Sequence, residues 1–130
     1  MKKVPYMLLA VLVLVMFQSA TVAAAEERTL TGEFWWEESG RGGDLRSVFT
    51  PTGEGTWDVV FYFRFHGESH VYRGTAEGSL FQGALRGTVL DKDRERTFTF
   101  EGAFKNGEFA GTHSEVFSGG AEKTGTLTLS

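Results

Sequence analysis

The sequence predicts an all-β domain, a small antiparallel barrel of eight strands connected as an up-and-down meander. Apolar residues alternate with other residues over many short stretches, a period of two that is typical of strands covering a core on one face. In the segment 56–66 every odd position between the two ends is apolar: Trp57, Val59, Phe61, Phe63 and Phe65. No window of 11 residues after residue 25 has a clean helical period, so we expect no helix there.

One segment of the chain occurs twice, and this repeat predicts hairpins. Glu77–Val89 and Glu101–His113 are offset by 24 residues and share one Glu, three Gly and one Thr. Each copy has apolar residues around a short turn, Gln82-Gly83 in the first and Asn106-Gly107 in the second. Asn-Gly between alternating apolar residues is the strongest short-range signal for a β-hairpin. The repeat therefore predicts strands four to seven.

Turn residues divide residues 26–130 into eight expected strands. These are 29–36, 44–50, 56–66, 69–81, 84–91, 94–105, 108–117 and 123–129. Gly67-Glu68 has Gly first and predicts a type II′ turn, and Lys92-Asp93 predicts another two-residue turn. The Gly-rich segment 40–43 is expected to be a loop that acts as a lid.

The predicted turns also indicate which residues point inward, because directly paired residues share a face of the sheet. The expected pairs across four turns are Phe65 with His70, Leu80 with Leu85, Asp91 with Arg94, and Phe104 with Phe109. With these pairings the apolar residues of strands three to seven all fall on one side. Lys105 and Glu108 then form an opposite-charge pair across the last of these turns.

The meander order favours a closed barrel, because closure leaves no exposed strand edges. A two-sheet sandwich is the alternative. In architecture, the whole segment 26–130 resembles the calycin-type barrels of the lipocalins and avidins, which implies a small ligand in the interior. Lipocalins carry Gly-x-Trp in the first strand, whereas this chain has Gly32-Glu33-Phe34-Trp35, with one residue more. The resemblance is one of architecture, and we assign no family from it.

Residues 1–25 have the pattern of a secretory signal peptide. Two lysines precede an apolar stretch at 6–17, and Ala23–Ala25 supply small residues before a cut ahead of Glu26. The apolar stretch is shorter than the roughly 20 residues of a membrane-spanning helix. We therefore expect a single secreted or periplasmic domain at 26–130, with no membrane insertion after cleavage. An uncleaved membrane anchor is the alternative.

Composition narrows the possible partners. The formal net charge is −4, and no run of basic residues stands out, so nucleic acid and anionic membranes are poor candidates. The chain has no Cys, although it is expected to be exported. Small eukaryotic secreted domains usually rely on disulfides, so this composition fits a bacterial periplasm or medium better.

Inward-pointing polar residues indicate a candidate ligand site at one end of the barrel, where the connections after strands one, three, five and seven lie. The expected site residues are Trp36, His70, Tyr72, Arg96, His113 and Glu115. Polar groups above an aromatic floor are typical of a pocket for a small apolar or amphipathic ligand. In the alternative, Arg96 and Glu115 form an ion pair that only caps the core, and His113 is a core histidine bonded to Tyr72 or a carbonyl.

The sequence gives little support to catalysis or to a cofactor. His113-Ser114-Glu115 places two potential metal ligands on one face, with His70 as a third, but three histidines give low specificity. No nucleophile elbow or phosphate-binding loop is present, so we expect a non-enzymatic binding module. A second interpretation is a structural or protein-interaction domain of the bacterial envelope. Outward Val60, Tyr62 and Val71 on strands three and four would then form a homo-oligomer contact.

Overall fold

The computed structural model of the protein describes residues 26–130, and the expected signal peptide lies outside them. The described residues form eight strands: β1 (Arg28–Trp36), β2 (Arg41–Gly53), β3 (Thr56–Phe65), β4 (Glu68–Gly78), β5 (Gly83–Asp91), β6 (Arg96–Lys105), β7 (Glu108–Phe117) and β8 (Gly120–Leu129). They pair in chain order, and β1 pairs with β8 to close the sheet. The predicted up-and-down barrel is confirmed, and the sandwich alternative is wrong. In this part of the chain no helix is long and apolar enough to span a membrane.

Closure takes place at a short seam between β1 and β8. Gly32–Trp36 pair with Gly125–Leu129, so five residues of each strand take part. The backbones of Thr31 and Ser130 extend the seam with two hydrogen bonds of 3.0 and 2.8 Å. No other strand pair in the described barrel has so few paired residues, so contacts that support this seam matter for closure.

The two ends of the barrel differ. We call the end with the connections after β2, β4 and β6 the base, and the opposite end the mouth. Side chains that fill the base are Leu80, Leu85, Phe104 and Phe109, each at most 4% exposed. The rings of Phe104 and Phe109 contact each other with centroids 5.2 Å apart. The base is therefore packed.

The turn between β3 and β4 differs from the predicted one. Phe65 pairs with Glu68, so His70 pairs with Phe63 instead. The turn residues are His66 and Gly67, with φ angles of 52° and 77°. Two positive φ angles in sequence are characteristic of a type I′ turn, so the predicted type II′ turn is wrong.

The connection between β4 and β5 is longer than predicted. Strand β4 ends at Gly78, which pairs with Leu85, so the expected pairing of Leu80 with Leu85 is wrong. Ser79 accounts for the longer connection, because its Oγ accepts the backbone N–H of Phe81 at 3.1 Å and of the following residue at 3.0 Å. Leu80 leaves the ladder and fills the base from the loop.

The connection between β5 and β6 is also displaced. Asp91 pairs with Arg96 across a four-residue turn, so the predicted pairing of Asp91 with Arg94 is wrong. The Asp91 carboxylate accepts the backbone N–H of Asp93 at 3.0 Å and a guanidinium N–H of Arg94 at 2.8 Å, and it thereby stabilises the wider turn. Each of the three displacements amounts to two residues in pairing, so every side chain keeps its predicted face.

Two further predictions concern glycines. The Asn106-Gly107 turn is confirmed, with Phe104 opposite Phe109 and Lys105 opposite Glu108. The loop predicted at 40–43 to act as a lid is wrong for 41–43, because β2 begins at Arg41, whereas Gly40 lies in the turn after β1. Gly43 belongs to the sheet, and a Cβ added there would lie 3.2 Å from the Phe34 ring of β1.

Candidate functional site

A cavity of about 110 Å³ lies above the packed base and is partly open at the mouth. Most of its wall is aromatic or aliphatic, including Phe34, Leu45, Phe63, Phe65, Val89, Phe98 and Leu127. Of the six predicted site residues, the structure places Trp36, His70, Tyr72, Arg96 and His113 in this wall. Glu115 does not line the cavity, but it binds Arg96.

Alternation along the strands explains the aromatic wall. Phe34 and Trp36 of β1 point inward together, as do Phe63 and Phe65 of β3. The Phe34 ring lies 4.9 Å from the Phe63 centroid at 59°, and 5.8 Å from the Phe65 centroid at 63°. Trp36 meets Phe98 edge-on at 5.7 Å. Tilted contacts of this kind hold the rings against each other and leave faces and edges exposed to the cavity.

Arg96 and Glu115 form a bidentate ion pair at the mouth. Nε and Nη2 of Arg96 donate to the two carboxylate oxygens of Glu115 at 2.8 and 2.9 Å. These hydrogen bonds lower the pKa of Glu115 and raise that of Arg96. The guanidinium also lies 5.1 Å from the Phe98 ring centroid and 5.5 Å from that of Trp36. The ion pair that was expected if Arg96 and Glu115 only cap the core is thus formed, and the cavity is present beside it.

The side chain of His113 on β7 reaches across β8 and contacts β1 at the seam. Its Nε2 lies 2.9 Å from the Trp35 carbonyl oxygen on β1, and its Nδ1 lies 2.7 Å from the Thr124 hydroxyl. Because a carbonyl only accepts, Nε2 carries the proton and Nδ1 of the neutral ring is an acceptor, so Nδ1 shares the one hydroxyl proton of Thr124 with the His113 carbonyl oxygen, which lies 3.1 Å from that hydroxyl. Gly125 of β8 makes the crossing possible, since a Cβ there would lie 2.7 Å from Nε2. We call the contacts of His113 with Trp35 and Thr124 the seam latch.

The seam latch limits what His113 can do at the site. Both ring nitrogens already have partners, and the ring stacks on Trp36 with centroids 5.7 Å apart. Burial lowers the pKa of His113 below its ordinary value of 6.5. In the alternative interpretation His113 is a core histidine bonded to Tyr72 or a carbonyl, and the structure shows the carbonyl contact. Its ring contributes a wall to the cavity.

His70 differs from His113 because one of its nitrogens lacks a partner. Nδ1 of His70 is buried and forms no hydrogen bond within the described residues. The ring stacks on Phe63 with centroids 5.0 Å apart and an angle of 9°. Burial, followed by the positive charge of Arg94, lowers the pKa of His70 below 6.5. His70 is therefore a neutral ring at pH 7 that lines the cavity, and its Nδ1 is shielded from solvent.

Tyr72 forms the wall between His70 and Arg96. Its side chain is buried, and its ring lies 5.7 Å from the Phe63 centroid and 5.5 Å from that of Phe98. Burial is the largest cause that raises the pKa of its phenol above 10, so the hydroxyl stays protonated near neutral pH. Tyr72 thus contributes an apolar ring with a neutral polar tip.

The sequence reasoning missed a second ion pair at the mouth. Arg94, in the turn before β6, binds Asp91 at 2.8 Å and lies 3.6 Å from Glu68, at the start of β4. Asp91 had a signal in the sequence, because it lies two residues beyond inward-pointing Val89. Arg94 was the expected partner of Asp91 across the turn, and in the wider turn the two are joined by their side chains instead of by ladder pairing.

The arrangement supplies apolar contact and a few hydrogen bonds rather than metal ligation. Within residues 26–130 no three His, Asp or Glu side chains are grouped so that they could hold a metal ion. Of the three potential ligands named from the sequence, His113 belongs to the seam latch and Glu115 binds Arg96. The chain matches no protein-family model and no curated protein at a significant level.

Proposed function

We propose that residues 26–130 form an exported, non-enzymatic module that binds a small apolar or amphipathic molecule in the mouth cavity. The observation that carries this proposal is the aromatic cavity of about 110 Å³ in a barrel whose other end is packed. Protein interiors contain few voids larger than a water molecule, so a cavity of this size that opens at the mouth is a candidate binding site. Its polar groups at Arg96, Tyr72 and His70 match the few polar groups of a ligand pocket.

The size of the cavity restricts the ligand. Pockets for drug-sized molecules measure about 300–1,000 Å³, several times the volume available here. A long-chain lipid could be enclosed completely only if the wall rearranged. The charged groups at the mouth are paired with each other, Arg96 with Glu115 and Arg94 with Asp91, so a fully charged ligand would compete with existing ion pairs. A small molecule that is neutral over most of its surface fits best.

A binding experiment with a matched pair of variants tests the proposal. Thermal shift and native mass spectrometry of residues 26–130, against a metabolite and lipid panel, should identify small ligands. Val89→Phe adds four carbon atoms inside the cavity, whereas Leu90→Phe adds three on the outer face, where Leu90 is exposed. We expect Val89→Phe to abolish binding and Leu90→Phe to keep it. Equal binding by both folded variants would contradict the site, and the absence of any ligand would contradict the function.

Export is part of the same proposal. When the full chain is expressed with residues 1–25 in a bacterial host, the protein should be recovered from the periplasm or medium. Its intact mass should correspond to a chain that begins at Glu26. Recovery of the uncleaved chain from the membrane fraction would favour the membrane anchor instead.

A second candidate function is a structural or protein-interaction role in the envelope through the outer face of β3 and β4. Tyr62 and Val71 lie directly opposite each other there, and Val71 is 37% exposed. The guanidinium of Arg46 lies 4.1 Å from the Tyr62 ring centroid and covers part of this face. Size-exclusion chromatography with light scattering separates the two functions. A monomer that tolerates Tyr62→Glu and Val71→Lys would contradict the second one.

A further inference from the structure

The β7–β8 hairpin separates from the rest of the barrel at the mouth. Pairing between β6 and β7 ends with Phe98 opposite Glu115, although β6 begins two residues earlier. On the other side, pairing between β1 and β8 ends with Trp36 opposite Gly125. Residues 116–121 therefore pair only with each other, and the end of the hairpin has no third strand beside it in the ladder.

Phe117 continues the cavity-facing side of β7 onto this free end. Side chains two residues apart on a strand share a face, and His113, Glu115 and Phe117 have that spacing. The His113 ring lines the cavity, and Glu115 binds Arg96. Phe117 lies two residues farther out, about 7 Å along the strand at roughly 3.4 Å per residue. It is 53% exposed, so this face runs from the apolar cavity past the ion pair to a second apolar side chain.

A ligand that leaves the cavity along this face reaches Phe117. Because the cavity is partly open at the mouth, it encloses one end of a ligand and lets the remainder pass out. The charges of Arg96 and Glu115 offset each other through two hydrogen bonds, so an apolar group that passes them meets no net charge. An unbranched alkyl chain has the required form, because it is apolar along its whole length and each methylene gains from burial.

The charge beside Phe117 restricts the polar head of such a ligand. Glu122 lies directly opposite Glu115 across the hairpin, so both are on the cavity-facing side. Arg96 binds Glu115, whereas Glu122 is exposed and forms no ion pair within residues 26–130. An anionic head placed there would meet a like charge, whereas a neutral head would not.

We infer that the site binds a neutral amphiphile with one unbranched alkyl chain, whose end lies in the cavity and whose later carbons contact Phe117. This inference rests on the proposed function and specifies its ligand class. Phe117 is then a residue that contacts the ligand outside the cavity, and Glu122 disfavours anionic heads.

Isothermal titration of residues 26–130 with 1-alkanols of about four to ten carbons tests the role of Phe117. Each methylene that leaves water should tighten binding roughly fourfold. In Phe117→Ser this gain should stop at a shorter chain, so that 1-decanol binds at least about fourfold more weakly than to the wild type. Val116→Ser is the matched control, because Val116 is the exposed neighbour on the outer face of the same hairpin. It should keep the wild-type series.

Decanoate tests the role of Glu122, because it has as many carbon atoms as 1-decanol and an anionic head. The measured quantity is the ratio of the 1-decanol affinity to the decanoate affinity at low salt. Glu122→Gln should lower this ratio about fivefold, since two unit charges 4 Å apart in water repel by about 1 kcal/mol. A ratio that Glu122→Gln leaves unchanged overturns the charge selection.

The other outcomes separate this inference from the proposed function. Identical chain-length series in the wild type, Phe117→Ser and Val116→Ser overturn the role of Phe117 and keep the cavity. If no alkanol binds while another member of the panel does, the ligand class is wrong and the function stands. If no molecule of any kind binds, both are wrong. Should Phe117→Ser fail to fold, amide NMR of the wild type decides: 1-decanol should shift the Phe117 and Gly120 signals more than 1-butanol does, and equal shifts overturn the contact.

An alkyl chain occurs both in free small molecules and on larger amphiphiles such as glycolipids. n-Decyl glucoside, compared with 1-decanol, distinguishes these sources. Equal affinity indicates that the head lies in solvent beyond the hairpin, and it identifies a larger amphiphile as an acceptable source. Binding of 1-decanol with rejection of the glucoside identifies a free small molecule. Both results support the alkyl chain, and rejection of both probes contradicts it.

Discussion

Replacement of His113 by Ala should weaken barrel closure at the seam. The seam between β1 and β8 has only five paired residues in each strand. The imidazole adds a hydrogen bond from β7 to the Trp35 carbonyl on β1, 2.9 Å in length, and passes over Gly125 to reach it. His113→Ala removes this bond, the Thr124 contact and the ring that packs on Trp36.

The expected loss follows from these contacts. One net hydrogen bond contributes about 1 kcal/mol, and an acceptor left without its donor costs roughly 1–3 kcal/mol when buried. The His113–Trp35 contact is near the surface, so the lower end of that range applies. Loss of the ring adds about 1 kcal/mol of apolar burial. A total of about 2–3 kcal/mol lowers the melting temperature of a domain this small by roughly 10–15 °C.

Urea unfolding at pH 7, followed by tryptophan fluorescence, measures this loss. The matched control is Thr126→Ala, an exposed position on β8 in the same seam, which should cost well under 1 kcal/mol. Equal unfolding midpoints for the two variants would refute the seam latch. A second variant, Gly125→Ala, disturbs the same contact from β8. Its Cβ would meet the Trp35 carbonyl oxygen and the His113 imidazole, so it should destabilise the barrel to a similar degree.

Three further predictions follow from the same contacts. Burial lowers the pKa of His113, so the folded state binds its proton less tightly than the unfolded state; stability is complete above pH 6.5 and falls as the pH drops through the folded-state value. The urea midpoint should therefore fall between pH 7 and 5.5, and it should fall less in His113→Gln; identical pH profiles would contradict this. A double-mutant cycle with Arg96→Met and Glu115→Gln should give a coupling of about 1 kcal/mol that shrinks in 1 M NaCl, since the pair is only partly buried; a coupling near zero at low salt would count against the bidentate geometry. Gly107→Ala should lower the free energy of unfolding in urea by about 1 kcal/mol or more, because the φ of Gly107 is 82°. Gly119→Ala should lower it little, because a Cβ there would meet open space. Equal losses in the two variants would contradict the turn assignment.

Parity explains why the inner face was predictable although three turns were not. The expected pairing of Phe65 with His70 differs from the observed pairing of Phe65 with Glu68 by two residues. A shift of two returns every side chain to the same face, whereas a shift of one would have reversed the sheet. The apolar pattern therefore determined what points inward, and the site residues Tyr72 and Arg96 reached the mouth regardless of the turns.

The contacts that decide roles were not predictable, because they depend on atoms that the pattern does not specify. Ser79 and Asp91 widen their turns through side-chain hydrogen bonds to nearby backbone, and such local bonds compete with a tight hairpin. His113 was expected to face the site, yet it reaches across β8 because residue 125 is Gly. The sequence places His70 inward, but it does not show that the ring stacks on Phe63 or that its Nδ1 is shielded from solvent.

Methyl NMR of residues 26–130 with a bound ligand tests the central claim most directly, namely that the mouth cavity is the binding site. Val89 and Leu127 carry methyl groups in the cavity wall, whereas Val71 and Leu90 carry methyl groups exposed on the outer face. On titration with any panel molecule that raises the melting temperature, the Val89 and Leu127 signals should shift and the outer signals should stay in place. Shifts confined to Val71 and Leu90, or no shift with any molecule, would contradict the claim.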